Sequence, residues 1–136
     1  VGEEIPVAPL QHYDRSYFCR WNYADRGLGR FSMYWFARRY YAALVRRHAP
    51  AGPGALLEPG CGLGHLLALL QDDFRCTGID LNEHAVEQTR RNAPRARLWQ
   101  RDAAATDLFA DGAFSAVVAL HLAGPLPRPV AMVREV

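Results

Sequence analysis

The spacing of apolar and polar positions changes character near residue 50. Before it, Phe31 to His48 places Tyr34, Ala37, Tyr41, Leu44, Val45 and His48 on one face at helical spacing. Ser32 suits the N-cap of that helix, and Pro50-Ala51-Gly52-Pro53-Gly54 ends it. Arg38, Arg39, Arg46 and Arg47 fall largely off the apolar stripe and are expected to form a solvated face. After residue 50, short apolar runs alternate with helical patterns. Ala55 to Glu58 reads as a buried strand, His65 to Leu70 as a strongly apolar helix and Arg75 to Asp80 as a second strand. Asn82 to Asn92 reads as a polar-faced helix with Ala85, Val86 and Thr89 inward, and Ala96 to Gln100 as a third strand. Asp102 to Phe109 is a loop with room for one helical turn. Phe114 to Leu120 is a fourth strand, apolar almost throughout, as when both faces are covered. Pro127 to Val136 begins another helix. Strands alternating with helices predict an α/β domain, a parallel sheet with right-handed crossovers.

The most N-terminal residues follow neither period. Val1 to Leu10, with Pro6 and Pro9, reads as an extended arm, and Gln11 to Arg30 is aromatic and charged. Tyr13 to Trp21 fits a lid over a bound ligand, whereas the helix after it fits docking on the sheet through Tyr34, Tyr41 and Leu44. The chain thus divides into an arm and helical extension, 1–49, and a ligand-binding α/β domain, 50–136.

The most specific local signal joins the first strand to the helix behind it. Glu58-Pro59-Gly60-Cys61-Gly62-Leu63-Gly64 sets three glycines at alternate positions after an acidic residue. Without Cβ atoms a loop lets a ligand approach the backbone, and a helix start offers unpaired N–H groups to an anion. Asp80, Asp102 and His121 also follow predicted strands, at the edge where open α/β sheets bind ligands. Asp80 lies about 20 residues after the first glycine, where an acidic side chain meets a ribose in dinucleotide folds. The dinucleotide fingerprint, however, needs Gly or Ala at position 65, and this chain has His65. A nicotinamide-dependent oxidoreductase is disfavoured for that reason.

The pattern instead resembles motif I of the class I S-adenosylmethionine-dependent methyltransferases. Gly78-Ile79-Asp80-Leu81-Asn82 is similar to that family's second motif, Arg101-Asp102-Ala103 to its third, and Phe114 to His121 to its fourth. The resemblance covers roughly residues 52 to 136. It implies a Rossmann-like parallel sheet with flanking helices, of which the first four strands are legible, and S-adenosyl-L-methionine as cofactor. By the same resemblance Gly60, Gly62 and Gly64 pack under the methionine moiety and Glu58 helps hold its ammonium. Asp80 binds the ribose, and Leu81, Asp102 and Ala103 surround the adenine. Ser115 stands where the family usually has Asp, with a modest effect on stability or loop geometry expected.

No firm general base emerges. His121 is a weak candidate, with an ordinary pKa suited to the task. His65 reads as a polar helix-start residue and Cys61 as a small filler between glycines. Cys19, Cys61 and Cys76 have no metal-ligand spacing and fit free thiols in a reducing, cytoplasmic setting. A net charge of +2 over 136 residues gives no reason to expect nucleic acid. No apolar run is long enough for a bilayer, so no membrane partner is expected. The expected reaction is methyl transfer to a small-molecule acceptor. A non-catalytic cofactor-binding module is the alternative, since the chain starts at Val1 and stops at Val136 within a helical pattern and is expected to be truncated. The fourth strand is then an open edge through which self-association is expected.

Overall fold

The computed structural model describes residues 30–50, 52–103 and 109–120. Among them run helix α1 (Met33–His48), strand β1 (Ala55–Pro59), helix α2 (His65–Leu70), strand β2 (Arg75–Asp80), helix α3 (Glu83–Asn92), strand β3 (Arg97–Gln100) and strand β4 (Ala116–Val117). The helix expected over Pro127–Val136, the lid segment Tyr13–Trp21 and His121 lie outside the described residues.

The strands form one sheet in the order β3-β2-β1-β4, and every pairing is parallel. Along the chain, β2 and β3 are added on one side of β1, and β4 then returns to the other side. The direction of strand addition therefore reverses at β1. In open α/β sheets the crevice at such a reversal, outside the carboxyl ends of the strands, is where ligands bind. The loop that leaves β1 opens into that crevice.

Local chemistry accounts for the helices. In α1 the Ser32 Oγ accepts from the Trp35 N–H at 3.1 Å, and the last turn carries Arg46, Arg47 and His48 against the helix dipole. In α3 the Asn82 Oδ1 accepts from the Ala85 N–H at 3.1 Å, with Glu83 in the first turn and Arg90 and Arg91 in the last. Helix α2 has six residues and no side-chain cap, too short to persist alone. Packing holds it: Leu66, Leu67 and Leu70 are fully buried with Leu56, Cys61, Phe74, Cys76, Ala93 and Ala42 in one cluster.

Three expectations are corrected or extended. His48 is exposed, and Ala42 is the buried centre of the inner face of α1. The extended C-cap at Ala49 turns that residue, not His48, onto the core. The arginines of α1 do form a solvated face, with Arg39, Arg46 and Arg47 exposed, and some of them make contacts as well. Arg46 Nε pairs with Asp73 Oδ2 at 2.7 Å and its Nη2 donates to the Leu69 carbonyl at 2.5 Å, while Arg38 and Arg39 lie over the Tyr34 and Trp35 rings. The fourth strand pairs only over Ala116–Val117, and Ser115, Val117 and Ala119 are exposed while Ala116, Val118 and Leu120 are partly buried. Its apolar run thus reads as buried on two faces in sequence but alternates in exposure at the sheet edge. Ser115 bonds the first residue of β1, its N–H and Oγ both donating to the Ala55 carbonyl at 2.8 and 3.0 Å.

Leu67→Ala should lose about 2–5 kcal/mol in urea unfolding, because the fully buried side chain leaves a cavity. Arg46→Ala removes a half-exposed ion pair and should cost under about 1 kcal/mol in the same assay.

Candidate functional site

The loop from Pro59 to Gly64 is built from backbone conformations that favour glycine. Gly60, Gly62 and Gly64 have φ of 69°, 55° and 73°. At Gly64 space adds a second constraint, because a Cβ there would lie 2.4 Å from Thr89 Cγ2. The N–H groups of Gly60 and Cys61 both donate to the Ile79 carbonyl, at 2.7 and 3.0 Å, which seats the start of the loop on the end of β2.

Asp80, the last residue of β2, links this loop to α3. Its Oδ2 accepts from the Gly62 N–H and its Oδ1 from the Asn82 N–H, both at 2.9 Å. Burial raises the carboxyl above its ordinary 3.8, while the N–H groups of Asn82, Gly62 and Leu81 pull it back down. A carboxylate oxygen has two acceptor positions. With the N–H groups of Gly62, Asn82 and Leu81 drawn to it, the Asp80 carboxylate still keeps acceptor capacity beyond its backbone bonds. Asn82, not Asp80, is the N-cap of α3.

The far side of the loop is tied to α3. Thr89 Oγ1 donates to the Gly62 carbonyl and Asn92 Nδ2 to the Leu63 carbonyl, both at 2.8 Å. Thr89 is fully buried and also lies 3.9 Å from Cys61 Sγ.

Glu58 is the electrostatic anomaly. It is 3 % exposed, and its Oε2 is buried without a hydrogen-bond partner. Burial pushes its carboxyl from 4.5 up to about 8, with Arg38 opposing the rise and Asp80 adding to it. Arg38 reaches this region from α1. Its guanidinium lies 4.6 Å over the Tyr34 ring, and Tyr34 meets His65 edge-on at 5.7 Å. Burial and Arg38 together lower the His65 pKa from 6.5, which favours a neutral imidazole. The Cys61 thiol is pushed well above 9.0 by burial, with Asp80 and Glu58 adding to the effect, so it supplies no thiolate at neutral pH.

A buried carboxyl one residue before a glycine loop, within the field of the acidic residue that ends the next strand, suits a polar ligand with a cationic end. Comparison with known proteins decides the family. A family model described as a methyltransferase domain matches residues 56–136. The chain belongs to that methyltransferase-domain family. It is 50 % identical over 50 residues to an S-adenosyl-L-methionine-dependent Diels-Alderase of Talaromyces variabilis, a match covering 36 % of this chain and 17 % of that protein. Magnesium protoporphyrin IX methyltransferase from Synechocystis PCC 6803, crystallised with bound SAH, superposes with a TM-score of 0.69 at 17 % identity. That match covers 92 % of this chain and 63 % of the other. The plantazolicin methyltransferase BpumL, in complex with a triazolic desmethylPZN analog and SAH, superposes at 0.56 and 18 % identity. It covers 73 % of this chain and 39 % of BpumL. The chain thus spans less than two thirds of each of these relatives.

Within this methyltransferase domain, Glu58, Gly60, Gly62, Gly64, Asp80 and Leu81 all fall at the carboxyl ends of β1 and β2. Leu81 is 44 % exposed. Asp102 is exposed and Ala103 buried, both following β3. The sequence pattern placed Thr89 inward without a contact, gave Asn92 only as the end of its helix and Arg38 only as part of a solvated face. A signal existed for the first two. Thr89 is the polar member of the inward stripe of α3, and Asn92 follows at helical spacing on that side. Arg38 left no such signal, because its relation to Glu58 depends on how α1 packs.

Glu58 gives a pH signature. In the folded chain it keeps its proton up to about pH 8, whereas in the unfolded chain it releases it near 4.5. Unfolding between these values therefore releases a proton, and stability falls as pH rises through that window. Glu58→Gln should remove up to about 1.4 kcal/mol per pH unit of this slope, read from urea midpoints of wild type and variant between pH 5 and 8. Parallel profiles for the two proteins would contradict the raised value.

Proposed function

We propose that the chain is the cofactor-binding part of an S-adenosyl-L-methionine-dependent methyltransferase acting on a small-molecule acceptor. The observation that carries the reading is the pairing of the buried Glu58, one of whose oxygens lacks a hydrogen-bond partner, with a glycine loop that Asp80 holds by its backbone. Glu58 would hold the ammonium of the methionine moiety, and Gly60, Gly62 and Gly64 would let that moiety approach the backbone. Asp80 would accept from the ribose with the acceptor capacity its backbone bonds leave. Leu81, Asp102 and Ala103 border the adenine. The family match over residues 56–136 supports this assignment, as do the SAH-bound structures among the fold's neighbours.

S-adenosylmethionine supplies a methyl group on a sulfonium, whose leaving group needs no further activation. The chain's contribution is to bind, orient and exclude water. Glu58, protonated while the site lacks a cation, ionises when an ammonium arrives, so a buried charge forms only together with its partner. Asp80 and the glycine loop fix the orientation. His121 stays a weak candidate for a base, outside the described residues.

The division into an extension, 1–49, and a cofactor domain, 50–136, belongs to the same proposal, as does a cytoplasmic setting. No helix among the described residues is long and apolar enough to cross a membrane. Self-association through β4 is proposed from its place at the end of the described sheet.

A second reading keeps the cofactor and drops methyl transfer. It is favoured by the 50 % identity to a protein named as a Diels-Alderase that depends on the same cofactor. Calorimetry with S-adenosylhomocysteine serves both. Binding is expected, with loss of at least about tenfold in affinity in Asp80→Ala. Tight NAD binding without any response to S-adenosylhomocysteine would overturn the cofactor, and labelled-methyl transfer to an acceptor separates the two readings. Binding enthalpies at pH 7 in buffers of different ionisation enthalpy should report release of up to about one proton, absent in Glu58→Gln.

A further inference from the structure

Thr89 and the Asp80 carboxylate close a ring of hydrogen bonds around the glycine loop. Asp80 Oδ2 holds the Gly62 N–H, and Asp80 Oδ1 holds the Asn82 N–H. Asn82 caps α3 through the Ala85 N–H, and four residues later in the same helix the Thr89 hydroxyl donates to the Gly62 carbonyl. Both polar groups of Gly62 are therefore held, the N–H from β2 and the carbonyl from α3. Every described peptide is trans, and in a trans peptide the N–H lies anti to the carbonyl. With the Gly62 carbonyl drawn onto Thr89, the Leu63 N–H is turned away from α3.

The two branches of Thr89 have separate partners. The hydroxyl takes the Gly62 carbonyl, while the methyl makes the nearest approach, 2.4 Å, to the space a Cβ at Gly64 would need, with the hydroxyl oxygen next at 2.7 Å. Glycine at position 62, with φ of 55°, leaves that peptide free to rotate unless something fixes it. A threonine is a poorer helix former than alanine, and a fully buried hydroxyl needs a partner. Packing alone is met by valine, which has the same shape.

We propose that Thr89 is a positioning residue for the cofactor cradle: its hydroxyl fixes the Gly62–Leu63 peptide, keeping the Gly62 N–H on Asp80 and the Leu63 N–H turned away from α3. The residue acts through the loop and needs no contact with the cofactor. Its effect on binding rests on the cofactor reading above, whereas its effect on the loop does not.

Thr89→Val and Thr89→Ser separate the two branches. Valine keeps the shape and removes the hydroxyl, and serine keeps the hydroxyl and removes the methyl. In calorimetry with S-adenosylhomocysteine, Thr89→Val should bind about tenfold more weakly than wild type, while Thr89→Ser recovers to within about threefold. Thermal unfolding should rank serine at or below valine, because serine loses the methyl packed nearest to Gly64. A purely structural role would make affinity follow that stability order. Equal affinity of Thr89→Val and wild type, or equal losses in both variants, overturns the proposal. In the ligand-free protein, the Gly62 and Leu63 amide resonances should shift in Thr89→Val and return toward wild type in Thr89→Ser. Amides unchanged in Thr89→Val overturn the proposal even if wild type fails to bind S-adenosylhomocysteine, an outcome that by itself removes only the cofactor reading.

Discussion

The close approach between the glycine loop and α3 is the constraint on which the site depends. Thr89 stands where a side chain at Gly64 would stand, and Asp80 holds the Gly62 N–H from the other direction. A Cβ at residue 64 would push the two apart, and a neutral, shorter group at residue 80 would leave two backbone donors without their acceptor. The loop conformation follows from these contacts. So does the start of α3, whose N-cap residue donates its own N–H to the same carboxylate. Strand end, loop and helix are therefore one unit, and a change in any of them reaches the other two.

Glu58 is the feature of the site that folding alone does not explain. A carboxyl with 3 % exposure and a partnerless oxygen is a liability for folding, and protonation reduces the cost without supplying the missing partner. Its place near the end of β1 keeps it within the fields of Arg38 and Asp80. A cationic group entering there gains a charge partner, and the carboxyl gains the interaction the protein withholds.

The helix before the family-matched region is part of this environment. The Tyr34 ring meets His65 at the first residue of α2, and the Arg46 side chain ties the other end of α1 to Leu69 and Asp73. These contacts bring Arg38 close enough to bias both Glu58 and His65. Residues outside 56–136 thus tune charge inside it. The opposite edge of the described sheet is less finished, with β4 paired over two residues and Val117 exposed.

The order of helices and strands was legible in the sequence, with bounds for α2 and β2 that agree to the residue and for β1, α3 and β3 within one. Such elements follow from local periodicity and capping, which neighbouring residues carry among themselves. The glycine loop and the aspartate after the second strand were legible for the same reason, since close backbone approach and strand ends leave local marks. Tertiary structure alone decided the rest. It set β1 between β2 and β4, left His48 outside and Ala42 inside, and made Glu58 a buried acid. It also joined Thr89 to Gly62 across 27 residues and Asp80 to Gly62 across 18. Burial and hydrogen-bond partnership depend on which distant segments meet, and no window of local pattern contains that information.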